Sequence, residues 1–224
     1  MYRSEINKYL REGEAFFRAH QFYLPPFACW TPADWARLGE SADFMRQRGL
    51  GWDVTDLASG KFEEIGLLLF TIRNGLVGDP VKIFAEKVMM VRDHQRTPLH
   101  FHFQKTEDII NRGGGDLVLE LYNSTSDGGL ASTEVTVRCD GMLRKVAPGG
   151  QIVLRPGESI TLIPGLYHSF YAERGHVLAG EVSSVNDDAK DNRFFEALPR
   201  FTAIEEDEEP LYPLCSDHRR HDDK

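Results

Sequence analysis

Cysteine is scarce in this chain, at three in 224 residues. Cys29, Cys139 and Cys215 form an odd set with no close spacing, which argues against a disulfide framework and against a thiolate metal site. Long apolar runs are also missing. The longest, residues 65–70, is far short of the ~18 residues that a membrane span requires. The opening MYRSEINKYL lacks the apolar core of a secretory signal, so a cytoplasmic, reducing location is expected and no membrane partner. Positive charge is in deficit: 26 Lys and Arg against 35 Asp and Glu leave a formal charge of −9. With no basic cluster to offset it, that charge repels phosphate backbones, and nucleic acid is not an expected partner. A strand–helix alternation of the kind that builds a parallel sheet is absent as well.

What is present falls into three parts of one domain. Residues 1–52 read as helical. Ser4 suits an N-cap, and Ile6, Tyr9, Leu10, Phe16 and Phe17 follow at three- and four-residue spacing. The Pro25-Pro26 pair ends that helix, and Thr31-Pro32-Ala33-Asp34 starts another, with Thr31 as cap and Pro32 at the first helical position. Residues 60–186 read as a β-barrel. Short apolar or alternating runs at 65–72, 84–91, 99–103, 117–122, 133–139, 151–154, 159–163, 167–171 and 177–185 are separated by Asn-Gly, Asp-Gly and Pro-Gly pairs. Those pairs supply the positive φ and preset φ that turns demand. Residues 187–224 read as a segment wrapping back over the barrel and ending in a tail, with an acidic run at 205–209 taken as a solvated turn. The fold class is all-β with added helices. A chain of this length buries roughly 70% of its unfolded surface and needs no covalent staple.

The chemistry concentrates in Thr97-Pro98-Leu99-His100-Phe101-His102-Phe103-Gln104-Lys105-Thr106-Glu107. Two histidines at i and i+2 share one face of a strand, and the intervening Leu99, Phe101 and Phe103 make the other face apolar. Glu107 lies an odd number of residues beyond His102, so a bend over residues 104–106 must re-aim it. Asn111-Arg112-Gly113-Gly114-Gly115 reads as a tight turn just afterwards. A third imidazole is available from His168, near the start of the strand launched by Pro164-Gly165. Three neutral imidazoles and one carboxylate suit Mn²⁺, Fe²⁺, Co²⁺, Ni²⁺ or Zn²⁺, and intrinsic affinity does not choose among them.

His100, His102, Glu107 and Gly114 fit the pattern His-x-His, four residues, Glu, six residues, Gly. This resembles the first motif of the cupin superfamily. The second motif departs from pattern, with six residues between Gly157 and Pro164 and with Pro164 and Gly165 adjacent, although Gly165 to His168 keeps its spacing. A closer resemblance runs through SEINKYLREGEAFF, LPPFACWTPADW, GWDVTDLASG, TEDIINRGGGDLV, PGESITLIPGLYHSFYAE and GEVSSVNDDAKDNRF. These phrases, spread over all but the last dozen residues, resemble the D-lyxose isomerases. The likeness implies a cupin barrel (a double-stranded β-helix or jelly roll), a homodimer, and one divalent metal per subunit, preferably Mn²⁺. It also implies conversion of D-lyxose to D-xylulose and, less well, of D-mannose to D-fructose.

Candidates for the remaining roles each carry a plainer reading. Glu181, a carboxylate in an otherwise apolar strand, is either a structural partner or the base that moves the carbon proton. Lys105, at the bend between ligands, is either a solvated lysine or the acid that serves the sugar oxygens. Lys87 raises the same question as a substrate-binding group. Asp187 either binds sugar hydroxyls or simply makes a turn, and Glu205 or Glu206 could supply the base instead. The expected reaction is proton transfer through a cis-enediol. Its rivals are an Fe²⁺ dioxygenase, which shares the same ligand set, and a non-catalytic sugar-binding cupin.

Overall fold

The computed structural model describes residues 1–185, 187 and 190–219. Helix α1 spans Arg3–Ala19 and lays Ile6, Leu10 and Phe17 into a layer with Trp52, Phe70 and Met90. Fully burying side chains of this size stabilises by about 1.5–3 kcal/mol each. Gly13 lets the helix approach the sheet, since a Cβ there would sit 2.7 Å from a Leu68 methyl. The N-cap is Tyr2, whose N–H donates to Glu5 at 2.8 Å. Ser4 is not the cap: its N–H and hydroxyl donate to Asp207 at 2.9 and 2.7 Å. Helix α2, Pro32–Leu38, begins as expected, with Thr31 accepting from the Asp34 N–H and Asp34 accepting from the Thr31 N–H. Helix α3, Asp43–Gln47, completes the N-terminal layer.

Eleven strands follow among the described residues: β1 Gly51–Thr55, β2 Leu67–Arg73, β3 Phe84–Val91, β4 His100–His102, β5 Glu107–Asn123 and β6 Val135–Cys139 come first. Then come β7 Met142–Val146, β8 Gly150–Leu154, β9 Ser159–Leu162, β10 Leu166–Ser184 and β11 Asn192–Phe194. Their pairings are antiparallel, and the main sheet runs β1-β2-β3-β10-β5-β9-β6-β7 with β4 on β10, β11 on β4 and β8 on β5. The sheet is not closed, with β1 at one end of this path and β7 at the other. Period-2 alternation divides its faces. Leu69, Met89, Ile109, Leu119 and Phe170 face one core, whereas Trp52, Val54, Leu68, Phe70 and Val88 face the helices.

Several strands differ from the sequence expectation. The runs at 167–171 and 177–185 are one strand, β10, bent by a register shift between Glu173 and Val177. The run at 117–122 is the second half of β5, and residues 111–115 form a kink inside that strand rather than a turn between two. Glycine is required there: Gly114 has φ +96°, and a Cβ would lie 2.1 Å from the His176 carbonyl oxygen. The edge strands β1 and β7 and the three-residue β11 were not anticipated.

The C-terminal segment packs against the start of α1, and its acidic run, residues 205–209, is exposed as a solvated turn should be while also serving as a partner for that helix. Arg3, 1% exposed, donates to Glu206 and Asp217, and Asn7 donates to Glu208 at 3.0 Å and to the Glu209 carbonyl at 2.8 Å. The run neutralises a buried arginine and satisfies the positive end of α1. His218 likewise belongs to a short helix α4, Cys215–Arg219, with its ring 4.5 Å from that of Trp35. The rest of the expected tail, residues 220–224, lies outside the described residues. No helix among the described residues is long and apolar enough to cross a membrane.

Candidate metal centre and active site

β4 presents His100 and His102 on one face, and on the other Phe101 packs edge-on against Tyr167 at 4.8 Å. His100 is in register with His168 on β10, so two of the imidazoles are cross-strand neighbours. The nitrogen donors of His100, His102 and His168 lie within 4.8 Å of one another. After His102 the chain bends, and Glu107, the first residue of β5, returns its carboxylate to the same spot. Its Oε1 is 3.2 Å from Nε2 of both His102 and His168. Asp191 fixes that bend by accepting from the backbone N–H groups of Gln104 and Lys105 at 2.9 and 3.0 Å.

The donor set fits a divalent cation. Nδ1 of His100 bonds the Pro98 carbonyl at 2.8 Å and Nδ1 of His168 bonds the Leu166 carbonyl at 3.0 Å. A carbonyl only accepts, so Nδ1 carries the proton in each ring and a neutral ring turns the Nε2 lone pair inward. The lone pair of His168 then meets a carboxylate oxygen at 3.2 Å, an acceptor facing an acceptor. A cation between them converts that repulsion to attraction. Burial, then the neighbouring imidazoles His168 and His102, hold His100 well below the usual histidine range. Burial and the charge of Lys105 lower His102 too. For Glu107 burial alone would raise the carboxyl, but Lys105 and the flanking histidines outweigh it and hold it well below the usual carboxylate range. Neutral imidazoles beside an ionised carboxylate are the protonation states that bind such metals.

Next to this cluster lies a second, equally buried one. Glu181 is the direct cross-strand partner of Lys87. Its Oε1 is 3.0 Å from Lys105 Nζ and 3.6 Å from Lys87 Nζ, and it accepts from the Ser183 hydroxyl at 3.1 Å. Lys105 also reaches Glu107 Oε2 at 2.6 Å, bridging the two clusters. Lys105 and Lys87 are each 2% exposed and Glu181 is 5% exposed, so neither lysine is a solvated surface residue. The three histidines, Glu107, Glu181, Lys87 and Lys105 line one cavity of about 60 Å³, several times the roughly 10–15 Å³ that one water needs.

The model of the D-lyxose isomerase family matches residues 1–218. The chain belongs to that family. Two relatives, both D-lyxose/D-mannose isomerases, agree over nearly the full length. That of Escherichia coli O157:H7 is 51% identical, covering 98% of this chain and 99% of the relative. That of Serratia proteamaculans is 48% identical, covering 97% of each. The L-ribose isomerase of Cellulomonas parahominis, solved with L-ribose, superposes with a TM-score of 0.56 at 18% identity over 92% of this chain and 98% of that one. The chain shares its fold with that L-ribose isomerase, and the protein is a sugar isomerase.

Within this D-lyxose isomerase fold, two of the expected residues do not line the cavity. Asp187 is not among the lining residues; its carbonyl accepts from the N–H groups of Lys190 and Asp191, the turn that its plainer reading describes. Its neighbours Asn186 and Asp188 lie outside the described residues. Glu206 is held by Arg3 and does not line the cavity either. Conversely, Thr55, Asn192, Phe194 and Arg200 line it and were not anticipated. Asn192 and Phe194 stand opposite His102 and His100 in the β11–β4 register. No local pattern marks these four, because each is brought in by tertiary contact.

Proposed function

We propose that the chain interconverts D-lyxose and D-xylulose and, less efficiently, D-mannose and D-fructose, as a metal-dependent isomerase of unphosphorylated sugars. The observation that carries this reading is the buried Glu181–Lys105 pair set against the four metal donors. His100, His102, Glu107 and His168 would hold the metal, with Mn²⁺ the preferred ion and Co²⁺, Fe²⁺, Ni²⁺ and Zn²⁺ also compatible. The ion supplies Lewis-acid stabilisation of the charge that develops on the sugar oxygens.

The remaining work falls to the chain's own groups. The Glu181 carboxylate takes the proton from C2 of the open-chain aldose, while the Lys105 ammonium donates to O1, giving a cis-enediol. Lys105, now neutral, takes the proton from O2, and Glu181 returns its proton to C1. The ketose forms and both side chains recover their starting charge. Because Lys105 and Glu181 already touch, little reorganisation is needed between the two half-reactions. Lys87, on the other side of the carboxylate, orients it and offers a donor to the substrate. Sequestration below 6% exposure keeps water from competing for the carbon proton.

The test is to load the protein with Mn²⁺, offer a panel of aldoses in D₂O, and follow ketose formation and deuterium at carbon. Ketose with solvent deuterium supports the proposal. Oxygen consumption would instead identify a dioxygenase, and sugar binding without turnover a non-catalytic cupin. We further infer, from the full-length agreement with the family, a single cupin-type domain working as a cytoplasmic homodimer.

A further inference from the structure

β1 lies at the edge of the sheet, paired with β2 and joined beyond it by a single bridge from Trp52 to Leu214, so the cavity needs a cover on that side. The chain after β11 covers that side. It leaves the histidine-bearing strand β4 and arrives at Thr202, whose hydroxyl lies 3.0 Å from that of Thr55 and donates to Asp56 at 2.6 Å. The Thr55 hydroxyl also donates to the Arg200 carbonyl at 3.2 Å. This strap is thus anchored at both ends of the gap, and on it the Arg200 side chain turns into the cavity. Arg200 Nη2 is 2.7 Å from Oδ2 of Asp53, whose side chain is 3% exposed. Asp53 sits on the inner face of β1, in register with Leu69, which is in register with Met89 on β3.

The Asp53–Arg200 pair is therefore a second polar pole. Three strand spacings, roughly 14 Å, separate β1 from β10 and Glu181, and long side chains shorten that gap to the span of a short carbon chain. Between the poles the wall is apolar, made by Leu67, Leu69 and Met89. A guanidinium has five N–H donors in one plane, so one fixed by a carboxylate can still donate to a sugar hydroxyl. A planar donor fork held rigid by a buried acid is suited to recognition rather than proton transfer, because it does not lose its proton.

We propose that Arg200, oriented by Asp53, reads the terminal hydroxyl of the substrate and so sets the preferred chain length. This rests on the sugar isomerase reading of the same cavity. The probe is 5-deoxy-D-lyxose, which keeps the reacting carbons of D-lyxose and lacks only the terminal hydroxyl. In the native protein kcat/KM for the deoxy sugar should fall 10- to 100-fold below that for D-lyxose, mainly through KM. In Arg200→Met, D-lyxose should fall to the level of the deoxy sugar while the deoxy sugar changes less than about threefold, and the ratio of D-mannose to D-lyxose turnover should shift towards one. Equal losses on both sugars, or no discrimination by the native protein, would overturn the proposal. If Arg200→Met does not fold, Asp53→Asn reads the same ratio with the arginine retained. An unchanged ratio there would count against the proposal, and a partial loss of discrimination for it. Failure of the native protein to isomerise D-lyxose would strike the parent reading instead, and is seen before any variant is made.

Discussion

Glu181→Gln separates structure from chemistry more cleanly than any other change in this site. The substitution keeps the shape and an acceptor oxygen but removes the charge lying 3.0 Å from Lys105 and 3.6 Å from Lys87. At an effective dielectric of about 20, a pair 3.0 Å apart attracts by about 5 kcal/mol, much of it offset by desolvation. Breaking a buried pair costs about 3–5 kcal/mol when an uncompensated charge is left behind. Here Lys105 keeps Glu107 at 2.6 Å, so the low end, about 3 kcal/mol, applies. For a chain of this size that is a fall in Tm of about 6–12 °C, tolerable at 25 °C. Loss of a general base lowers rate by about 10²- to 10⁴-fold, equivalent to about 3–5 kcal/mol of barrier. The assay is ketose formation from D-lyxose together with loss of the C2 proton signal in D₂O. Metal content and thermal melting are measured on the same sample. A folded, metal-loaded variant with turnover within about fivefold of native would refute the assignment of Glu181 as base.

Mn²⁺ at 100-fold above its Kd should stabilise the native protein by about 2.7 kcal/mol, seen as a rise in Tm that EDTA reverses. His168→Ala should abolish that rise, and a persistent shift would place the ion elsewhere. Gly114→Ala should cost about 3 kcal/mol, because the residue has φ +96° and the new methyl would press on the His176 carbonyl at 2.1 Å. An unchanged denaturation midpoint would show that the kink in β5 does not depend on glycine. Arg3→Met should lower stability by about 2–3 kcal/mol by leaving Glu206 and Asp217 without their cation. Its kcat per folded molecule should stay native, since α1 does not line the cavity, and the check is melting alongside initial rates.

The clustering of these side chains was legible because period-2 spacing carries it: His100 and His102 are two apart on a strand, and Glu107 needs only one bend to join them. Glu181 stood out as a carboxylate in an apolar run, and burial settles it as a partner of two lysines. Asp191, Asp53 and Arg200 were not legible. Each acts through a contact across 86 or more positions or through a loop with no period, as when Asp191 bonds Lys105. The acidic run at 205–209 is exposed, as its carboxylates suggest, but its second role was hidden for a related reason. A string of carboxylates is by default solvated, and nothing local reveals that Arg3 lies buried against it 203 positions away. The division of residues 111–115 from their strands failed because glycines that kink one long strand look the same in sequence as glycines that end one.

Taken together, the charges of the cavity explain why so many ionisable groups are buried in one place. The formal charges of Glu107, Glu181 and Asp53 are matched by Lys87, Lys105 and Arg200, and each cation is in contact with a carboxylate. With the imidazoles neutral, the protein's own groups sum to zero, so the chain alone provides no net field for an anionic ligand. Each charge is instead held by its partner in a fixed direction, and the dipoles act only where the reacting atoms pass between them. Such an arrangement favours a substrate that is neutral when it binds and becomes negative only during reaction, as an uncharged aldose does on losing its C2 proton. A phosphoryl group at the far end of the sugar would bring two charges that the chain's own paired groups leave unmatched, since the surplus charge of a divalent ion would lie with its four donors at the reacting end. The phosphorylated sugar should therefore bind less tightly than the free sugar, and a sugar phosphate that competed with D-lyxose on equal terms would contradict this account.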